Sequence, residues 1–132
     1  MSDGAPFGEA TDATYVQLTT FRKDGTPKPS PIWAAMDGDR MVVWTETDSW
    51  KVKRLRRDSR VLVQACDARG KKTRGEVVEG TGEVLDAAGT ERVRELIRRK
   101  YGLLGKVIVT ASTWRRGKDG TIGISIQRTP PS

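Results

Sequence analysis

The chain contains no histidine. That absence removes every Ser-His or Cys-His nucleophile and every imidazole-ligated metal site, and with them the usual hydrolytic chemistries. Cysteine is nearly missing as well: Cys66 stands alone, so no intrachain disulfide can form and nothing marks an oxidising compartment. Its ordinary role is that of a small strand hydrophobe. No apolar run approaches the roughly 20 residues of a membrane-spanning helix, and the opening MSDGAPFGEATDA lacks the basic-then-apolar layout of a signal peptide. A cytosolic (cytoplasmic) location without membrane insertion is therefore expected. Neither GxGxxG after a strand nor GxxxxGK[ST] occurs, and the Gly80-Thr81-Gly82 stretch does not open a helix, so Rossmann and P-loop readings fail. There is no Cys cluster, HExxH or triad either, so any chemistry must arrive with a bound cofactor or substrate.

What remains is a basic chain of one-domain size. Its 132 residues are 36% hydrophobic and 31% charged, enough for a buried core without metals or disulfides. Twenty-four Lys and Arg against seventeen Asp and Glu leave a net charge of +7. Such an excess suits nucleic acid, a phosphate-bearing cofactor or an acidic lipid surface, or serves solubility alone.

Residues 1–12 lack periodicity and read as a flexible N-terminus, residues 129–132 cannot continue a strand ladder, and the domain is expected over 13–129. YVQLTTF (Tyr15 to Phe21) is β-branched and aromatic, a turn signal follows at Lys23 to Thr26, and Pro27 to Met36 is again extended. Asp37-Gly38-Asp39 is a second turn, leading to the apolar strand Arg40 to Thr45. Ser49 caps a short helix starting at Trp50, with Val52 and Leu55 as its inward stripe. Arg60 to Ala65 is the next strand, and Glu76 to Leu85 follows, with Gly80 and Gly82 suggesting a bulge or a close backbone approach. Val93, Leu96, Ile97 and Tyr101 recur at helical spacing over Thr90 to Tyr101, and Gly102 ends that helix. Lys106 to Trp114 and Thr121 to Arg128 read as two late strands around a turn at 115–120. Short turns joining six or seven strands, with two helices interposed, favour a mainly β fold, an antiparallel barrel, over an alternating α/β sheet.

One segment could carry chemistry. SWKVKRLRRDSR, Ser49 to Arg60, holds six basic residues in twelve directly after a strand that ends at Thr45. Helical geometry sends Lys51 and Arg54 to one face and Lys53, Arg56 and Arg57 to others, so one phosphate meets at most two or three of them. A phosphate near the helix start would find free N–H groups, the helix dipole, the Thr45 hydroxyl and lysine charge together. Spacing alone leaves this reading open beside that of a solvated charged face.

At this point the sequence resembles the split β-barrel family of pyridoxamine-phosphate oxidases and actinobacterial deazaflavin-dependent reductases. The carriers are LTTFRKDGTPKPSPIWAAMDGDRMVVWTE, SWKVKRLRRDSRVLV, the VVEGTGEV strand, the helix ending KYG and the closing TIGISIQ, which together span about residues 14–128. The resemblance implies a six- to seven-stranded split barrel with an FMN-binding-like fold. It implies that Ser30, Pro31, Ile32 and Trp33 line a flavin-type ring, that Trp44 and Thr45 face the ribityl and phosphate, and that Lys51 binds the phosphate, with Ser49 beside it. Two positions depart from the oxidases: Trp50 stands where they place Arg before the lysine, and Gly75 where they carry a polar ring contact. The deazaflavin branch uses coenzyme F420, whose tail carries several carboxylates, and Lys53, Arg54, Arg57, Lys71, Lys72 and Arg74 would serve it.

The resemblance thus implies an oxidoreductase that passes hydride from reduced F420 to an electron-poor C=C or C=N bond of a small molecule. FMN is the alternative cofactor. A homodimer whose cofactor site both chains share is implied too. Trp33 is the tryptophan expected beside the ring, and Tyr101 is expected to be a packed residue. No metal site, nucleic-acid partner or catalytic acid is assigned. The rival functions are a nucleic-acid binder and a non-catalytic F420 or lipid carrier.

Overall fold

The computed structural model describes residues 6–116 and 120–130. Among these, six strands close into an antiparallel barrel in the order β1-β2-β3-β6-β5-β4. They are β1 (Tyr15–Phe21), β2 (Pro27–Asp37), β3 (Arg40–Glu46), β4 (Arg60–Cys66), β5 (Thr73–Val84) and β6 (Thr121–Arg128). Two helices accompany them, α1 (Trp50–Arg57) between β3 and β4, and α2 (Ala87–Arg116) between β5 and β6.

Period-two alternation fills the barrel. Val16 and Leu18 of β1, Val43 of β3, Val61 and Val63 of β4, and Ile124 and Ile126 of β6 are fully buried in one cluster. Each such side chain contributes roughly 1.5–3 kcal/mol of burial. Alternate residues on the outer face, including Ala35 and Val42, form a second cluster under α2 with Val93, Ile97 and Val109. Gly123 of β6 lets α2 come this close, since a Cβ there would sit 2.7 Å from Val93 Cγ2. Cys66 is buried, and burial followed by the charge of Asp67 pushes its thiol pKa up, so it is an unreactive packing residue.

Three expectations need correction or refinement. Lys106 to Trp114 is helical rather than a strand: α2 continues through Gly102, which takes φ 60° and ψ −137°, and runs on as a second helical segment. The β-branched residues there favour a strand, but six strands already close the barrel without it. Val109, fully buried against α2's own cluster, holds the segment in place instead. The N-terminal segment is ordered well before residue 13. Gly8–Asp12 form a 3-10 turn, Phe7 and Ala10 are buried in the barrel cluster, and the Phe7 N–H donates to Thr11 Oγ1 at 3.0 Å. Gly80 and Gly82 are sites of close approach, to Gln127 O and to Leu55, whereas the register shift of β4 and β5 falls between Val63 and Ala65. The expected loop at 115–120 lies partly outside the described residues, as do 1–5 and 131–132 of the two ends. No described helix is long and apolar enough to cross a membrane.

Candidate functional site

The barrel is split where β2 and β3 part. These two strands pair only from Ala34↔Val43 to Asp37↔Arg40. Beyond that point Pro27 to Trp33 pair with β1, while Trp44 to Glu46 pair with β6. The gap forms a groove of about 270 Å³ lined by Pro31, Ile32, Trp44, Thr45, Lys51 and Thr121, together with Glu46.

Helix α1 sits at the rim of this gap for reasons written in its sequence. The Val52 N–H donates to Ser49 Oγ at 3.4 Å, which caps the first turn, and Val52 and Leu55 insert into the barrel cluster. That docking turns Lys51 into the groove. The ammonium is half-buried; burial pulls its pKa below the ordinary 10.5, Glu46 works against that shift and Arg54 adds to it. An anion beside Lys51 would offset the desolvation. Trp44 lines the same groove, and its buried Nε1 has no hydrogen-bond partner among the described residues. An ammonium, a hydroxyl, an indole N–H and the free N–H groups of a helix start make a donor set that fits the phosphate end of a cofactor.

The sequence-derived site residues divide among several faces. Pro31, Ile32, Trp44, Thr45 and Lys51 meet in the groove. Ser49 serves as the α1 cap. Ser30 lies across from Leu18 on β2, with its Oγ buried and unpartnered among the described residues. Trp33 is on the α2 side, stacked on Tyr101 with ring centroids 4.0 Å apart and 5° between the planes. The Tyr101 hydroxyl donates to Thr14 O at 2.6 Å and accepts from the Ala34 N–H at 3.2 Å, and burial pushes its pKa up to about 12. It is a packed anchor, as expected of it.

The basic residues of α1 separate in the same way. Lys53 Nζ lies 4.6 Å from the centroid of the Trp50 ring. Arg54 donates to Thr20 Oγ1 at 3.3 Å and Arg57 to Phe21 O at 2.7 Å, so both are tied to β1, with the Arg54 charge still felt at Lys51. The turn carrying Lys71 and Lys72 borders the groove instead: a Cβ on Gly70 would lie 3.1 Å from Pro31 Cδ, and Gln17 Nε2 donates to Gly70 O. Asp67 Oδ1 holds that turn by accepting from the N–H of Lys71 at 2.9 Å and of Lys72 at 3.4 Å. Arg74 is spent elsewhere, in an exposed pair with Glu9 at 3.4 Å. Gly75 lies in the stretch of β5 that bulges against β4 and takes φ 75°, a left-handed conformation that favours glycine. The absence of a polar side chain there therefore has a backbone reason.

Sequence reasoning missed Glu46 and Thr121. They face one another across the β3–β6 pairing, a contact between segments 75 residues apart (121 − 46) with no local signal. Thr121 Oγ1 accepts from Arg94 Nη2 at 2.9 Å, and Arg94 is 4% exposed. Thr121 also lines a second cavity of about 550 Å³ whose walls include Leu85, Ala87, Ala88, Ile122 and Arg94. The Lys51 groove and this larger space thus meet at one residue.

Comparison with known proteins agrees with this fold. The family model for pyridoxamine 5'-phosphate oxidase matches residues 9–119. No curated protein matches the sequence. A conserved hypothetical protein from Mycobacterium tuberculosis has a similar structure, with TM-score 0.73 and 23% identity over 98% of this chain and 82% of that one. An F420 reductase superposes with TM-score 0.63 and 20% identity, covering 98% of this chain and 96% of its own. The heme storage protein of Vibrio cholerae gives TM-score 0.66 at 13% identity, over 89% and 83%. At these identities the structural likenesses speak for the fold.

Proposed function

The chain belongs to the pyridoxamine 5'-phosphate oxidase family, and from that premise we propose that it is an oxidoreductase using reduced coenzyme F420 to deliver hydride to an electron-poor C=C or C=N bond of a small organic molecule. The observation that carries the proposal is the groove in the barrel split, with Lys51 half-buried at its rim and desolvated. Reduced F420 supplies the hydride, from C5 of its deazaflavin ring. The chain's share is positioning and exclusion of water. Lys51 and Thr45 bind the phosphate, Trp44 offers its indole N–H, and Pro31 and Ile32 support the ring. Ser49 orients α1. Ser30, Trp33, Lys53, Arg54 and Arg57 have no direct part in holding the phosphate. Lys71 and Lys72, in the turn whose Gly70 packs on Pro31, would meet the tail carboxylates, and this favours F420 over FMN, as do Trp50 and Gly75 at the positions that differ from the oxidases. A heme reading lacks an imidazole for an axial ligand, since the chain has no histidine. The cavity beyond Thr121 receives the acceptor.

The enzyme proposal is tested by mixing the protein with reduced F420 and a panel of activated enones and imines. Return of the oxidised deazaflavin absorbance with at least one acceptor is the expected result. Binding without oxidation by any acceptor would make the protein a carrier.

A second copy of the chain belongs to the same proposal. The groove of one chain is smaller than the roughly 300–1,000 Å³ of small-molecule sites, so it takes only part of a cofactor. The second segment of α2 leaves Leu103, Leu104, Val107, Ile108 and Trp114 exposed, an apolar surface suited to a symmetric partner. Sedimentation is expected to report a dimer, and Leu104→Glu with Val107→Glu a folded monomer. A wild-type monomer at tens of micromolar would contradict the shared site.

A further inference from the structure

Beside the Lys51 groove, α1 borders a separate pocket of about 330 Å³, lined by Arg22 and Lys23 of the β1–β2 turn and by Trp50, Arg54 and Arg57. It shares no lining residue with the Lys51 groove. Positions 50, 54 and 57 fall on one helical stripe, which explains why the aromatic and the two guanidinium groups converge. The turn opposite is closed by the Arg22 N–H donating to Thr26 O and the Gly25 N–H donating to Arg22 O, both at 2.9 Å, and Arg57 ties α1 to Phe21 just before it.

No acidic side chain lines this pocket. Asp24, in the same turn, accepts from the Thr26 N–H, and Asp58, after the helix, from the Arg60 N–H. Arg54 and Arg57 are anchored by neutral oxygens, of Thr20 and Phe21, so their positive charge is uncompensated there and each guanidinium has further N–H groups to offer. Trp50 is 68% exposed, with Lys53 Nζ over its ring. A large indole left in water among cations is a stacking platform next to an anion trap.

We propose that this pocket binds a nucleoside polyphosphate, the base stacked on Trp50 and the phosphates among Arg22, Lys23, Arg54 and Arg57, as a ligand distinct from the cofactor in the Lys51 groove. The cationic groups converge on one pocket rather than tracking along a surface, which fits a mononucleotide better than a nucleic-acid strand. Charge-assisted contacts hold the phosphates, and stacking distinguishes a nucleotide from a bare polyanion.

Calorimetric titration of the full chain with ATP and with inorganic tripolyphosphate, in the absence of any deazaflavin, tests this. ATP is expected to saturate one site per chain and to bind about tenfold more tightly than tripolyphosphate, the worth of one stacked base. Trp50→Leu, at an exposed position, should erase that difference. Arg22→Ala with Lys23→Ala should weaken ATP about tenfold through lost charge-assisted contacts. Lys51→Ala should weaken ATP clearly less than the turn variant does, because Lys51 lines the other groove and reaches this pocket only through its charge coupling to Arg54. Equal affinity for ATP and tripolyphosphate, no saturable ATP binding, or a loss in Lys51→Ala matching that of the turn variant would each overturn the proposal.

Discussion

Replacing Phe7 with alanine is expected to lower the stability of the fold by about 3–5 kcal/mol, the cost of truncating a fully buried aromatic ring. Phe7 is 0% exposed and joins Ala10, Ala13, Val16 and Leu18 in the barrel cluster, so its ring is part of the core. Urea unfolding followed by circular dichroism measures the effect: the midpoint should fall while the slope with denaturant stays the same. A loose segment would behave differently, because substitutions on exposed, unpacked chain change stability by no more than about 0.5 kcal/mol. A change that small would return residues 6–12 to the status their composition suggests.

Lys51→Ala is expected to weaken binding of the anionic cofactor by about 1.5–3 kcal/mol, roughly 10- to 150-fold, through loss of one charge-assisted contact. The pH dependence carries a sign. The phosphate binds the ammonium form, and the Lys51 pKa in the free protein lies below 10.5, so affinity should decline as pH rises through that lowered value. Lys51→Arg, which stays charged, should bind without the decline. In the ligand-free protein the effect on stability runs the other way. The unfolded chain holds the Lys51 proton more tightly than the folded one, so this residue makes stability rise with pH between its folded value and 10.5. Equal affinities of wild type and Lys51→Ala would remove Lys51 from the phosphate role.

Much of the barrel was legible because its strands advertise themselves locally. The runs at Tyr15, Arg40, Arg60 and Thr121 combine β-branched residues with flanking turn signals, and the observed strands start at the same residues. The cap at Ser49 and the inward pair Val52 and Leu55 were equally local. Lys106 to Trp114 was not, because its β-branched composition favours a strand until one knows that six strands already close the sheet. Gly102 read as a terminus for a similar reason: a left-handed residue ends most helices, and here the chain resumes helical geometry beyond it. Phe7 was hidden by its polar neighbours, since a single aromatic in a Gly- and Glu-containing stretch carries no period.

The candidate site was half legible for a geometric reason. Four consecutive strand residues cannot all face one groove, because side chains alternate. Ile32 packs toward the barrel interior and Trp33 under α2 against Tyr101; Pro31 and Ile32 both border the groove because it opens at the edge where β2 leaves β3. On α1, helical spacing leaves Lys51 and Arg54 as neighbours, and it is the hydrogen bonds to Thr20 and Phe21 that draw Arg54 and Arg57 toward β1. Glu46 and Thr121 required knowledge of the β3–β6 pairing, which joins the middle of the chain to its end.

A deazaflavin in the groove is the central feature of the proposed function. Titration of the ligand-free protein with F420 and, separately, with FMN, followed by tryptophan fluorescence, tests it most directly, since Trp44 lines the groove. Saturation by F420 at low micromolar concentration, with FMN weaker, is the expected result. FMN saturating at low micromolar concentration while F420 changes nothing would contradict it.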